Sequence, residues 1–277
     1  MGIPRARAIL VTTLLAASAL AGAPRTAGAA SPVLLRAHFV AGQHIQELDD
    51  STTTTRLTLK FAGKHAPAPM SINQTERDLF PILLDVEKTY ADGSALLRIS
   101  FGPSTVTADG KVHRLSMKGF YQEMHVTTDL QVISSRTYGA ALIPASFSDS
   151  VPNTTPTKYP ARPVSVGSTW TEQEAAAPFS TIVATYTVRA FGTVNGKPTI
   201  TTQGVINQPA KLTEDGLTLK GTVTGFDDGT TYIDTSADVV PSHGGFTFKG
   251  AVTGSISGVK ATGTFLISIT HVSTPQP

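Results

Sequence analysis

A period of two runs through this sequence, and no helix can be built on it. From Phe246 onward, Phe246, Phe248, Gly250, Val252, Gly254, Ile256 and Gly258 fall on one side, with Thr247, Lys249, Thr253, Ser255 and Ser257 on the other. After a turn near Gly258 the pattern resumes with Val259, Ala261, Gly263, Phe265, Ile267 and Ile269. Successive side chains of a strand point to opposite faces, so such a run buries one face of a sheet and wets the other. Ala95, Leu97, Ile99 and Phe101 repeat the alternation, as do Ile182, Ala184, Tyr186 and Val188. Thr abounds at the polar positions, where a β-branched residue suits a wet sheet face. The expected fold is all-β and antiparallel.

Five Asx-Gly pairs punctuate the strands: Asp92-Gly93, Asp109-Gly110, Asn195-Gly196, Asp215-Gly216 and Asp228-Gly229. Such pairs tolerate the left-handed conformation of tight hairpin turns, and each is read as one. Asp49-Asp50 and Asp227-Asp228 are likewise assigned to turns. By contrast, Gly250, Gly254, Gly258 and Gly263 share the apolar face. An inward Gly forfeits packing, so these four point to a sharply curved sheet, or to a hollow left for a ligand.

The alternation stops from about Tyr138 to Pro163, where Pro144, Pro152, Pro156, Pro160 and Pro163 accumulate. Ala145 to Ser150 has room for one helical turn, but the prolines forbid anything long. The chain is therefore divided into a signal peptide at 1–29, a first antiparallel β unit at 30–137, a Pro-rich connector at 138–163 and a second β unit at 164–277. Each unit is expected to be a curved half-barrel or barrel-like sheet. The two begin alike, with Phe39-Val40-Ala41-Gly42-Gln43 in the first and Val164-Ser165-Val166-Gly167-Ser168 in the second.

Residues 1–29 combine Arg5 and Arg7 with an apolar run from Ala8 to Ala23. Ala27 and Ala29 then stand where a signal peptidase reads small residues, which leaves Ala30 as the new N-terminus. Removing this segment takes away Arg5, Arg7 and Arg25 and no carboxylate, which turns the formal charge of +2 negative. Charge therefore offers no argument for a nucleic-acid partner. Cys is absent, which excludes disulfides, thiol nucleophiles, Cys-ligated metal and a lipid-bearing Cys at the cleavage site. No later stretch reaches the ~18 apolar residues of a spanning helix. The protein is expected to be secreted or periplasmic, with neither a lipid anchor nor a transmembrane segment.

Reactive constellations are sparse. The seven His residues form no His-x-x-x-His motif, and no pair shares a strand face two residues apart. Asp85 and Glu87 could pair as in a glycosidase, but Ile82, Leu84 and Val86 flank them, which puts both on the wet side of a strand. Ser257-Gly258-Val259-Lys260 matches Ser-x-x-Lys in letters, yet a turn stands where that motif needs a helix. The lone Trp170 is assigned with Gly167 as a structural anchor at the start of the second unit. No catalytic residue, metal site or cofactor is expected.

The segment Arg162-Pro163-Val164-Ser165-Val166-Gly167-Ser168-Thr169-Trp170 resembles the Pro-Val-x-Val-Gly-Asp-x-Trp segment of an uncharacterised family of exported bacterial β-rich proteins. Ser168 stands in place of the usual Asp. The likeness implies export and a strand-rich fold, and carries no catalytic residue with it. More distantly, paired curved sheets are similar to the half-barrel lipoprotein carriers of bacterial envelopes, which hold acyl chains, an analogy of fold alone. The functional expectation is a non-catalytic exported protein that binds a lipid or other apolar small molecule, or acts as an envelope scaffold. The alternative is a secreted hydrolase whose site is assembled from distant strands. An outer-membrane barrel is disfavoured by the Thr274-Pro275-Gln276-Pro277 ending and by the lack of aromatic girdles.

Overall fold

The computed structural model describes residues 31–63, 66–108, 110–143, 156–176, 179–214, 216–235 and 237–277. The cleavage residues Ala27, Ala29 and Ala30 lie outside the described residues, as does the stretch Ala145 to Ser150. The first half of the chain forms β1 (His44–Ala62), β2 (Met70–Thr89), β3 (Ala95–Phe101), β4 (Ser104–Ala108), β5 (Lys111–Leu115), β6 (Tyr121–Val126) and β7 (Val132–Tyr138). A single 3-10 turn follows at Ala140–Leu142. The second half forms β8 (Thr169–Ala176), β9 (Phe179–Val194), β10 (Lys197–Glu214), β11 (Leu217–Tyr232), β12 (Ser242–Ile256) and β13 (Val259–Pro275).

All thirteen strands belong to one antiparallel sheet, in the order β7-β6-β3-β2-β1-β13-β12-β11-β10-β9-β8, with β4 on β2 and β5 on β4. The halves are joined edge to edge, because β1 pairs with β13 from Glu47↔Pro275 to Ala62↔Lys260. The sheet is open rather than closed: β7 and β8 end the order and do not pair with each other. This is the all-β antiparallel class that the alternation foretells.

The hairpins turn where left-handed residues permit. Asn195 and Gly196 both have positive φ between β9 and β10, and Ser257 and Gly258 do the same between β12 and β13. Another Asx-Gly pair departs from its sequence assignment. Asp228-Gly229 is not a turn but lies within β11, where Asp228 pairs with Gln203 on one side and His243 on the other. The β10 ladder runs through both residues and the β12 ladder reaches Asp228, so the pair is held in extended form whatever its turn propensity.

Strands of 15 to 20 residues cannot stay flat, and the inward glycines show how they bend. A Cβ on Gly250 would collide with the Lys220 carbonyl oxygen of β11 and stand 2.6 Å from the Gly221 Cα; one on Gly263 would strike the Thr58 carbonyl of β1. The backbone of the next strand fills the space a side chain would need, so strong coiling explains these positions. Gly258 belongs instead to its turn.

Three apolar clusters follow from this bending. One lies within the first half, around Phe80, Leu97, Ile99, Val106, Phe120 and Met124. A second crosses the β1–β13 seam, joining Leu57 and Leu59 to Val223, Phe248, Val252 and Phe265. The third closes one end, where Leu35 and Ala37 meet Leu130, Tyr159, Val164, Val188 and Ile200. At this end the N-terminal segment is laced to both halves. Ala37 donates its amide to Thr128 (2.7 Å), His38 donates to Asp234 (2.6 Å), and Val33 bridges to Val164.

The similar openings of the two halves take the same form in three dimensions. Gln43 N–H bonds Val40 O, Gly42 N–H bonds Val86 O, and Val86 N–H bonds Gln43 O. In the second half, Ser168 N–H bonds Ser165 O, Gly167 N–H bonds Val188 O, and Val188 N–H bonds Ser168 O. Gly42 and Gly167 have φ of 83° and 84°, a left-handed conformation that Gly adopts without steric cost.

Candidate functional site: a polar end of the sheet interior

The inward face of β1 changes character along its length. Glu47, Asp49, Ser51, Thr53 and Thr55 are all buried, and then Leu57 and Leu59 take over. The period of two holds throughout, so backbone pairing alone puts hydrophilic side chains inside. Asp49-Asp50 is therefore no turn. Asp50 points outward and binds Arg77 through two bonds of 2.6 and 2.9 Å, while Asp49 points inward.

Register extends the polar zone across the sheet. Asp78 of β2 faces Ser51 of β1, Ser51 faces His271 of β13, and His271 faces Gly244 of β12. The row continues through Asp227 of β11 and Gly204 of β10 to Tyr186 of β9 and Trp170 of β8. Neighbouring strands are about 4.8 Å apart, so each member is close to the next. The two glycines give the rings their room. A Cβ on Gly244 would stand 2.8 Å from His271 Nε2 and 3.1 Å from Asp227 Oδ1; one on Gly204 would stand 2.7 Å from the Tyr186 ring. His271 and Asp227 thus converge over the same bare stretch of backbone. Beside them is a hollow of about 40 Å³, walled by Tyr186, Ile206, Asp227, Phe246, Ile269 and His271. That is space for a water or a small polar group, not for an acyl chain.

Burial governs the electrostatics. It pushes the Asp49 carboxyl up to about 8, helped by the charges of Asp50 and Glu47. It does the same to Asp78, helped by Glu76 and Asp49. Glu47 and Asp238 also move upward through burial, while Ser273 donates to Glu47 at 3.0 Å and opposes its rise. His271 moves the other way, down to about 4, because burial and the neighbouring His243 disfavour its cation. Near neutral pH, Asp49, Asp78 and His271 are therefore uncharged. Asp49 Oδ2, both Asp78 carboxyl oxygens, Ser51 Oγ, Thr53 Oγ1, Thr55 Oγ1 and His271 Nε2 are buried without a hydrogen-bond partner. Buried polar groups are normally satisfied, so a cluster of this kind calls for a reason.

Asp85 and Glu87 lie away from the polar end, whereas Trp170 stands at the end of its row. Asp85 bonds His44, and Glu87 stands 3.6 Å from Arg98, so both belong to exposed pairs on the wet face. Gly167 forms the turn before β8, and Trp170 stacks on Tyr186 with ring centroids 5.4 Å apart. Asp227, assigned to a turn, is in β11 and lines the hollow. Among the described residues, no group of three or more His, Asp or Glu is placed to hold a metal ion. No helix among them is long and apolar enough to cross a membrane. One signal in the sequence did mark the polar end: Glu47, Asp49, Ser51, Thr53 and Thr55 keep strict alternation in polar residues, just before Leu57 and Leu59 continue the same parity.

No family model matches the chain, and no curated protein matches it either. Among solved structures, two mutants of Rh. blastica porin are 8% and 9% identical, cover 83% of this chain and 100% of their own, and superpose with a TM-score of 0.21. A third, titled "Asymmetric conductivity of engineered proteins", is 10% identical with the same TM-score. Scores of that size are far below those of a shared fold.

Proposed function

We propose that this chain is an exported, non-catalytic binding protein that takes an amphipathic small molecule into the interior of its folded sheet. The observation that carries the reading is the change along the inward face of β1, from Glu47, Asp49 and Ser51 to Leu57 and Leu59. A cavity for a purely apolar ligand would be apolar throughout, whereas this interior offers hydrogen-bonding groups at one end and Phe248, Val252 and Phe265 at the other. Because the hollow is small, a ligand with a long tail enters only if the strands flanking it part.

Export rests on the Arg-led apolar segment ending at Ala27 and Ala29, and on the Pro-Val-x-Val-Gly-x-x-Trp resemblance. Purification from the native host, solvent extraction and mass spectrometry test the binding reading. A stoichiometric amphiphile is expected. A clean extract, together with no saturable uptake of amphiphiles by the purified protein, would overturn it in favour of an envelope scaffold.

A hydrolase is the second reading, favoured by the convergence of His271 and Asp227 on one hollow. It requires His271→Gln to abolish turnover of an ester or glycoside substrate while leaving the fold intact.

A further inference from the structure

Apart from the Trp170 indole N–H at the far end of the row, none of the unpartnered groups at the polar end is an obligate donor. Carboxyl oxygens, hydroxyl oxygens and the Nε2 of a neutral imidazole can all accept a hydrogen bond. No Lys or Arg is part of the inward row, which runs Asp78, Ser51, His271, Gly244, Asp227, Gly204, Tyr186. A site with surplus acceptors and several carboxyls is complementary to a cation that carries several N–H donors. Ser51 supplies an observation independent of the acids. Its hydroxyl is fully buried, lacks a partner and lies in register between Asp78 and His271.

We infer that the hollow beside His271 and Asp227, with Ser51 and Asp78 next to His271 along the row, receives the protonated primary amine of an amphipathic ligand. This deepens the binding reading and rests on it. The hollow of about 40 Å³ accommodates an ammonium head. Ile206, Phe246 and Ile269 on its wall receive the first carbons of the alkyl part. A quaternary ammonium has no N–H to give and is too bulky, a neutral alcohol brings a single donor, and a carboxylate is repelled.

Affinity should rise with pH. The groups that face the site are Glu47 and Asp49 from β1, Glu76 and Asp78 from β2, Asp227 from β11, Asp238 ahead of β12 and His271 from β13, while His243 acts on His271 from the exposed face of β12. Asp49 and Asp78 hold their protons up to about pH 8 in the free protein. An entering ammonium therefore displaces a proton from one of them. Its affinity climbs roughly tenfold per pH unit below that value and levels above it.

The test is titration calorimetry on the processed protein with hexylammonium, hexyltrimethylammonium, hexan-1-ol and hexanoate at pH 7 and 8.5, in two buffers of different ionisation enthalpy. Hexylammonium should bind at least tenfold more tightly than the other three, more tightly at pH 8.5, and with about one proton released at pH 7. Asp78→Asn should weaken it tenfold or more and remove the proton release. Ser51→Ala and His271→Gln should each weaken it severalfold, which provides a readout should Asp78→Asn fail to fold. Hexan-1-ol binding as tightly as hexylammonium would overturn the headgroup assignment and leave amphiphile binding standing. No saturable binding by any of the four would overturn both.

Discussion

Asp49, Asp78 and His271 make stability depend on pH in a direction that can be worked out. Between its ordinary value of 3.8 and its native value of about 8, each Asp holds a proton in the folded protein that the unfolded chain has shed. Stability therefore falls as pH rises through that window, at most about 1.4 kcal/mol per unit for each group. His271 acts oppositely between about 4 and its ordinary 6.5, where only the unfolded chain is protonated, so it offsets one carboxyl there. The steepest loss should thus fall between pH 6.5 and 8. Urea unfolding followed across that range checks it, and Asp78→Asn should flatten the slope and raise the midpoint at pH 8 more than at pH 5. The glycines that admit neighbouring backbone give a second prediction. Gly250→Ala pushes a Cβ into the Lys220 carbonyl and should cost about 1–3 kcal/mol, whereas Val112→Ala on the exposed β5 should stay within about 0.5 kcal/mol.

Two strands matter more than the rest, because β1 and β13 form the seam through which the halves share a sheet. Ending the chain after Gly258 removes β13 and leaves β1 and β12 each with an unpaired edge. It also strips Phe265 and Ile269 from the cluster that includes Leu57 and Phe248. Open edges of that length invite pairing with other chains. The truncated protein should therefore aggregate or lack a cooperative transition, as size-exclusion chromatography and thermal melting would show. The natural edges are managed differently. β7 is short, and Arg136 stacks its guanidinium over Tyr138 at 4.9 Å from the ring centroid.

Across the molecule, no boundary between the halves is free of contacts. The second apolar cluster takes residues from β1 and β2 as well as from β9 to β13, and the N-terminal segment bonds to loops of both halves. Calorimetry should record one unfolding transition with van't Hoff and calorimetric enthalpies in agreement. Two separable peaks would mean that the seam does not couple them. The same architecture bears on binding: a ligand with a long tail enters only if strands part locally, so its uptake should be slower than diffusion and should quicken with mild denaturant.

The alternation of Phe246, Phe248 and Val252, or of Ala95, Leu97 and Ile99, was enough to read antiparallel strands from the chain alone, since side-chain parity is a local property of extended backbone. Turns at Asn195-Gly196 and Ser257-Gly258 were legible for the same local reason. Where a residue's fate hangs on its neighbours across the sheet, local composition misleads, even though the parity of Glu47, Asp49 and Ser51 hints at the buried face. Asp49 and Asp227 have the composition of turns, and only continuous pairing on both sides holds them in strands with their side chains inside. The joining of the halves through β1 and β13, separated by most of the chain's length, likewise arises from long-range register. The polar row from Asp78 to Tyr186 exists because seven strands align, and no stretch of residues contains it.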